Sequence, residues 1–304
     1  MTLVAILGAN GHIGSALAHH YAARPGFRLE LYSRQPMSPE FSENGLSASS
    51  IRHRTMDELE RCQPDILVNA IGIGDPARAR KAGAAFYDLT MRIEDQIDRI
   101  ADTHPSCLTV FLSSGAIYGA FDSGPVDEHS PARVALNGLR PQDWYGAAKI
   151  AAELRHRAQP NRRMLDIRVF GFVSRFLDLS TGYLVCDIVN AIKAGRAMKT
   201  NAQDIVRDYI GPAELAAIVD AGALHGTINR AVDTYSREPV GKFALLESLR
   251  EQGLAWSVED DPVPSSRGHY WSRHRGAEEI GYSPTRKAAD IVGEVVRELV
   301  GRRR

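Results

Sequence analysis

Leu3-Val4-Ala5-Ile6-Leu7-Gly8-Ala9-Asn10-Gly11-His12-Ile13-Gly14 is the stretch on which the fold turns. A short apolar run ends abruptly in glycines spaced three residues apart, and a helical pattern follows, with Ile13, Leu17 and Tyr21 at intervals of four. Such a run reads as a buried strand, and the pattern after it as an amphipathic helix over Ile13 to Ala23. Glycine at these positions permits a tight turn, close backbone approach to a ligand, and close packing of helix on strand. The first N–H groups of the helix lack partners within it, so they favour an anion such as a diphosphate.

The same alternation continues outward. Arg28 to Tyr32 reads as a strand, Asp57 to Arg61 as helical, Asp65 to Asn69 as a strand and Ala84 to Asp102 as a long helix. Leu108 to Leu112 is again strand-like, Ala147 to Arg157 helical and Leu165 to Phe170 strand-like. Strands separated by helices imply parallel pairing through right-handed crossovers. The fold expected is α/β, a Rossmann-type doubly wound parallel sheet with a smaller C-terminal substrate domain. Residues 1–170 form the dinucleotide-binding domain. Residues 171–304 are mainly substrate-binding, with a segment near 205–235 returning to the first domain. Leu184 to Lys193, Ala213 to Ala223 and Ala288 to Val300 read as helices, and Asp260 to Gly268 as a loop.

Bulk properties exclude several classes. The 304 residues carry 37 basic and 37 acidic side chains, for a formal net charge of zero. No overall basic field exists to attract a nucleic-acid polymer or a membrane. Cys62, Cys107 and Cys186 are far apart and form no Cys-x-x-Cys pair, which predicts buried thiols in a reducing compartment. No His-Glu-x-x-His spacing occurs, so no metal site is expected. The apolar N-terminus lacks a basic leader and runs into the glycine turn, and no later run approaches the ~20 residues of a membrane span. The expectation is a cytoplasmic protein with a solvated tail at Gly301 to Arg304.

Where the second strand ends, Ser33 and Arg34 replace the carboxylate that would bond a ribose 2′-hydroxyl. A guanidinium suits a 2′-phosphate instead. NADP is therefore expected as cofactor, with NAD possible. Asp57 is either an adenine contact or a helix N-cap. Asn69, Ala70, Ile71 and Gly72 end the next strand with residues small enough to pass close to the cofactor. Gly8, Asn10, Gly11, His12, Ile13 and Gly14 complete this set.

Tyr145 and Lys149 stand four residues apart, which on a helix puts a phenol and an amine on one face. An ammonium beside a phenol favours the phenolate and suits the pair to proton transfer. Ser113-Ser114-Gly115-Ala116-Ile117-Tyr118-Gly119 follows a strand, at the sheet edge where open α/β folds bind ligands. A hydroxyl there can hold a reacting oxygen.

With these motifs in this order, the chain resembles the extended short-chain dehydrogenase/reductases of the nucleotide-sugar epimerase/dehydratase/reductase group. Pro125 to Glu128, Arg168 to Gly171 and Val206 to Ile210 carry the likeness further. Asp143 to Gly146 and Arg168 to Asp178 resemble reductase-like members encoded with surface-polysaccharide genes. The resemblance implies catalysis by Ser114, Tyr145 and Lys149, with Lys149 on the nicotinamide ribose and Val169 and Phe170 beside the cofactor. It places substrate at Ser114, Gly115, Ala116 and Tyr145, with Arg207 and Arg267 on the diphosphate, and it implies a homodimer through the helices at Ala84 to Asp102 and Ala147 to Arg157. The bland reading of Arg207 is a surface ion pair with Asp204 or Asp208. Three departures stand out. Gly115-Ala116 occupies the place of the dehydratases' acidic pair, Gly171 that of an epimerase asparagine, and Thr90 that of a helix asparagine. The reading that follows is an NADPH-dependent reductase of a keto group on a nucleotide-diphosphate sugar, the 4-keto-6-deoxy type favoured, with Tyr145 as proton donor. The alternatives are an epimerase with retained NAD(P), a dehydratase, and a non-catalytic dinucleotide-binding regulator.

Overall fold

The computed structural model describes residues 1–35, 50–119, 124–259 and 269–302. In chain order the strands are β1 (Thr2–Leu7), β2 (Phe27–Tyr32), β3 (Ile51–Arg54), β4 (Ile66–Asn69), β5 (Leu108–Ser114) and β6 (Met164–Val169). They are followed by β7 (Met198–Asn201), β8 (Val206–Arg207), β9 (Asn229–Asp233), β10 (Val240–Gly241) and β11 (Trp256–Glu259). The helices are α1 (His12–Ala22), α2 (Pro76–Ala82), α3 (Ala84–Thr103), α4 (Trp144–Arg157), α5 (Leu184–Ala194), α6 (Pro212–Leu224), α7 (Lys242–Ser248) and α8 (Ala288–Gly301).

Seven strands pair in parallel in the order β3-β2-β1-β4-β5-β6-β9. The order reverses between β1 and β4, and the crevice at their carboxyl ends is where such sheets bind ligands. Both faces are covered, as a parallel sheet requires. Along β1, Val4 and Ile6 enter one core with Leu17, Leu215 and Ile218, while Ala5 and Leu7 enter the other with Ile93, Ile97 and Ile100. The strand period of two thus splits one short run between the α1/α6 layer and the α3/α4 layer. This is the Rossmann-type doubly wound arrangement.

A third core gathers Val185, Ile188 and Val189 of α5, Leu245 and Leu246 of α7, and Ile291, Val292, Val295 and Val296 of α8. Two small ribbons, β7 with β11 in parallel and β8 with β10 antiparallel, flank it. All three cysteines are buried and free. Among the described residues no helix is long and apolar enough to cross a membrane.

Three local expectations are corrected. Asp57 is not an N-cap. Thr55 caps the short 3₁₀ helix Met56–Arg61 with Glu58 in a capping box, because Glu58 reaches back to the Thr55 N–H at 3.0 Å. Helix α4 begins at Trp144 rather than Ala147, running through Gly146, and this places Tyr145 inside it. Gly146 is there for packing, since a Cβ would stand 3.0 Å from the Ala116 carbonyl oxygen. The strand β3, Ile51-Arg52-His53-Arg54, was not expected, for its apolar signal is one residue.

The start of α6 is tied to the C-terminal region by charge. Glu214 accepts from the Gly211 N–H at 3.0 Å and from Arg286 Nε and Nη2, at 2.7 and 2.9 Å. Burial would push the Glu214 carboxyl up, but Arg286 and the backbone donors hold it below the usual range. A group so depressed stabilises the fold fully above its unfolded pKa and loses that contribution as pH falls towards the folded value. Glu214→Ala should therefore lower the unfolding free energy by about 1–3 kcal/mol at neutral pH. In urea denaturation the gap to the wild type should narrow as pH drops below about 4.3.

Candidate active site

The crevice above β1 and β4 is formed by backbones in close contact. Gly8 ends β1 at φ +75°, a conformation that suits glycine, and a Cβ there would lie 2.9 Å from the Ala70 carbonyl oxygen. A Cβ on Gly14 would run into the Gly8 carbonyl. Gly11 is the N-cap of α1 and offers no side chain to its first N–H groups. His12, in the first turn, is pushed down to about 4 by burial, so its ring is neutral. Its Nε2 is buried and makes no hydrogen bond. Backbone donors at a glycine turn, with a buried ring nitrogen still to be satisfied, fit a diphosphate-bridged dinucleotide.

Asn10 Nδ2 donates to the Gln35 carbonyl at 2.8 Å, and Ser33 Oγ donates to the same oxygen at 2.5 Å. The glycine turn and the end of β2 are thereby pinned together, with Arg34 exposed between them. Asp57 is exposed further along that edge. On the other side Asn69 is buried, and its Oδ1 accepts from the Ile71 N–H at 3.1 Å, which shapes the Ala70–Gly72 turn.

Lys149 is buried, at 2% exposure. Its Nζ donates to the Leu112 carbonyl at 2.7 Å, lies 4.3 Å from the Phe111 ring centre and 5.8 Å from that of Tyr145, and a Cβ on Gly72 would approach it to 4.0 Å. Burial pushes the ammonium down to about 8, against the pull of Glu94, Glu153 and Asp166. Tyr145 stacks on Phe86 of α3, ring centres 5.1 Å apart, and this sets its orientation. Ser114 caps the 3₁₀ turn Gly115–Tyr118, its Oγ accepting from the Ala116 N–H at 3.1 Å. The turn then abuts Gly146, next to Tyr145. The structure thus brings Ser114, Tyr145 and Lys149 to one edge of the sheet, beside the glycine turn.

Gly115 could be nothing larger without rearrangement. A Cβ would lie 2.6 Å from Phe170 and 2.9 Å from the Tyr270 hydroxyl. That hydroxyl is 3.4 Å from Ser114 Oγ. Tyr270 is a site residue that the sequence reading passed over, and it arrives from a distant segment through a bridge to Arg207. Arg207, on β8, donates Nη1 to the Val206 carbonyl at 3.1 Å, while the Asp208 carboxylate receives the Ser236 N–H. Arg267 lies outside the described residues. Gly171 has its own steric reason, since a Cβ would collide with the Asp208 carbonyl and meet the Tyr209 ring at 3.0 Å. An asparagine does not fit there. Thr90 is buried and spends its hydroxyl on the Phe86 carbonyl at 2.8 Å. Val169 and Phe170 end β6, and the Phe170 N–H is held by Thr234 Oγ1 at 3.2 Å.

A neighbouring charged group braces this edge. Ser113 Oγ donates to Glu153 at 2.5 Å, Arg168 clasps the same carboxylate and donates to Tyr118 Oη at 2.7 Å, and Tyr118 and Ser272 both donate to Asp233. Sequence spacing carried a signal for part of this, because Tyr145, Lys149, Glu153 and His156 share a helix face.

No curated protein matches the chain in sequence. Among solved structures, UDP-glucose 4-epimerase from Thermotoga maritima, with UDP-glucose, superposes with a TM-score of 0.78 at 15% identity, covering 98% of each chain. The UDP-N-acetylglucosamine 4-epimerase of Methanobrevibacter ruminantium M1 gives 0.78 at 16%, over 98% of this chain and 97% of that one. The dTDP-glucose 4,6-dehydratase of Bacillus anthracis, in complex with NAD, gives 0.77 at 12%, over 98% and 96%. At these identities the likeness is one of fold. The model of the NAD dependent epimerase/dehydratase family matches residues 4–220. That match spans the glycine turn, Ser114, Tyr145 and Lys149, and the chain therefore belongs to the NAD dependent epimerase/dehydratase family, enzymes of the extended short-chain dehydrogenase/reductase type.

Proposed function

We propose that the protein is an NADPH-dependent reductase of a keto group on a nucleotide-diphosphate sugar, the 4-keto-6-deoxy type favoured. The observation that carries this is the joining of Ser114, Tyr145 and a buried Lys149 ammonium at the sheet edge beside the glycine turn. The backbone of Gly8, Gly11, His12, Ile13 and Gly14, with the His12 ring, would hold the cofactor diphosphate. Ser33 and Arg34 would take the 2′-phosphate, Asp57 the adenine, and Asn69 to Gly72, Val169 and Phe170 would line the ribose and nicotinamide. When bound, the dinucleotide supplies the hydride.

In this reading Ser114 Oγ holds the ketone oxygen, and the Tyr145 hydroxyl gives it a proton as the carbon is reduced. The Lys149 ammonium bonds the ribose and stabilises the phenolate left behind. Gly115 and Ala116 would lie against the sugar. Residues 171–304 mainly hold the sugar nucleotide, with Arg207 and Arg267 on its diphosphate. Water elimination is disfavoured because Gly115 and Ala116 carry no acid or base, and Phe170 and Tyr270 leave Gly115 no room for one. The enzyme is expected to act in the cytoplasm as a homodimer paired through α3 and α4, whose surface presents Leu154. The family's own description favours a second reading, epimerisation with a retained dinucleotide. Freshly purified protein would then carry bound NAD(P) and show no net consumption.

Purified protein and NADPH, mixed with CDP-, dTDP-, GDP- and UDP-linked keto sugars, should lose absorbance with one class of sugar. No oxidation with any of them would sink the reductase. Tyr145→Phe should lower kcat by about 10²–10⁴-fold on the active sugar. Arg34→Ala should weaken NADPH binding by about tenfold or more and leave NADH binding nearly unchanged. Gly14→Ala should abolish binding of both in a fluorescence titration, since its methyl collides with the Gly8 carbonyl.

A further inference from the structure

Beneath Lys149 a chain of buried polar groups starts at Asn69, and the proposed reaction assigns no role to its further members Glu94, His156, Asp166 and Arg157. Asn69 Nδ2 donates to Glu94 Oε1 at 2.8 Å. Glu94 Oε2 meets His156 Nε2 at 2.9 Å, and His156 Nδ1 meets Asp166 Oδ1 at 2.7 Å. Arg157 closes the far end on Asp166 Oδ2 at 2.6 Å. Glu94, His156 and Asp166 are each no more than 1% exposed.

The geometry makes a demand of its own. A neutral imidazole has one ring nitrogen that only accepts, and that nitrogen cannot face an ionised carboxylate. Here both nitrogens face carboxylates. The trio must therefore hold one more proton than two carboxylates and a neutral ring, and the ring is its natural seat. Buried charges of this kind seldom add stability over well-packed apolar groups. Their placement at this point suggests another use. The chain ends on the Ala70–Gly72 turn through the Asn69 bond to the Ile71 N–H, and that turn lies beside Lys149 Nζ.

We propose that His156 is a positioning residue. As an imidazolium clamped between Glu94 and Asp166, it fixes the Glu94 carboxylate opposite Lys149 and, through Glu94 and Asn69, holds the turn beside that ammonium. This rests on the reading of Lys149 as the ammonium that binds the dinucleotide ribose. Burial by itself would push His156 down, but its bonds to Asp166 and Glu94 carry it up to about 9. Lys149, desolvated to about 8, is opposed first by Glu94, then by Glu153 of its own helix and Asp166 of β6. From β5 it meets the Leu112 carbonyl and the Phe111 ring, and His156 likewise faces the Phe111 ring at 5.4 Å. Burial raises Asp166 while His156 and Arg157 pull it back and Glu153 adds to the rise.

The test needs no sugar. NADPH and NADH binding to the whole protein is followed by fluorescence across pH for wild type and Glu94→Gln, with melting curves alongside. Glu94→Gln keeps the shape and an acceptor for Asn69 but removes the charge facing Lys149. The pH at which binding weakens should fall by about one unit, with the melting temperature at alkaline pH not accounting for the change. An unshifted midpoint in a folded variant would overturn the proposal. Histidine imidazole NMR on the wild type decides the point even if the variant does not fold. His156 should keep the charged-ring signature to about pH 8, and a neutral ring at neutral pH would overturn the proposal. Failure of every keto sugar to oxidise NADPH would leave both readouts intact, so the two ideas fail separately.

Discussion

An ammonium held at 2% exposure loses nearly all of its hydration, and the protein must replace it or surrender the proton. Much of the upper edge of the sheet is arranged around that constraint. Lys149 receives one carbonyl, from Leu112 at the end of β5, and the face of Phe111. Charge comes from a distance, from Glu94 on α3, Glu153 on α4 and Asp166 on β6. Those carboxylates need partners in turn, which His156, Arg157 and Arg168 supply. The chain of need runs outward until it reaches groups that touch water.

That arrangement also explains why the packing around the site allows so little substitution. Helix α4 must approach the Gly115–Tyr118 turn closely enough to carry Tyr145 and Lys149 to the edge, so Gly146 lies on the Ala116 carbonyl. The turn itself is squeezed between Ser114, Phe170 and Tyr270, which leaves only a hydrogen at Gly115. At the other side of the crevice, Gly14 lets α1 lie on the turn that follows β1, and Gly8 lets that turn lie on the Ala70 backbone that follows β4. Each glycine sits where two backbones or a backbone and a ring come nearer than a methyl group allows.

Much of the fold was legible in local pattern. The helices at α1, α3, α5, α6 and α8 fall within a residue or two of where the apolar spacing puts them, because each buries one continuous stripe. What escaped was of a different kind. β3 has the residues Ile51-Arg52-His53-Arg54, and its strand character comes from pairing with β2 at the sheet edge. β8 and β10 are two residues each and take their strand character from pairing with one another, and β8 also from its bridge to Tyr270. The first turn of α4 lies ahead of the helix expected over Ala147 to Arg157, and it runs through Gly146, where packing against Ala116 outweighs a propensity cost of about 1 kcal/mol.

The sequence by itself determined what depends on neighbours along the chain: the strand, turn and helix around Gly8 to Gly14, the shared helix face of Tyr145 and Lys149, and the alternation that makes the sheet parallel. It also marked Gly115 and Gly171 as departures without saying why. Only the tertiary structure decided that Phe170 and Tyr270 close on Gly115, that the Asp208 carbonyl closes on Gly171, and that His156 lies between Glu94 and Asp166. Those contacts join residues as far apart in the chain as Gly115 and Tyr270. They are set by crossovers and strand order, and a reading of local spacing has no access to them.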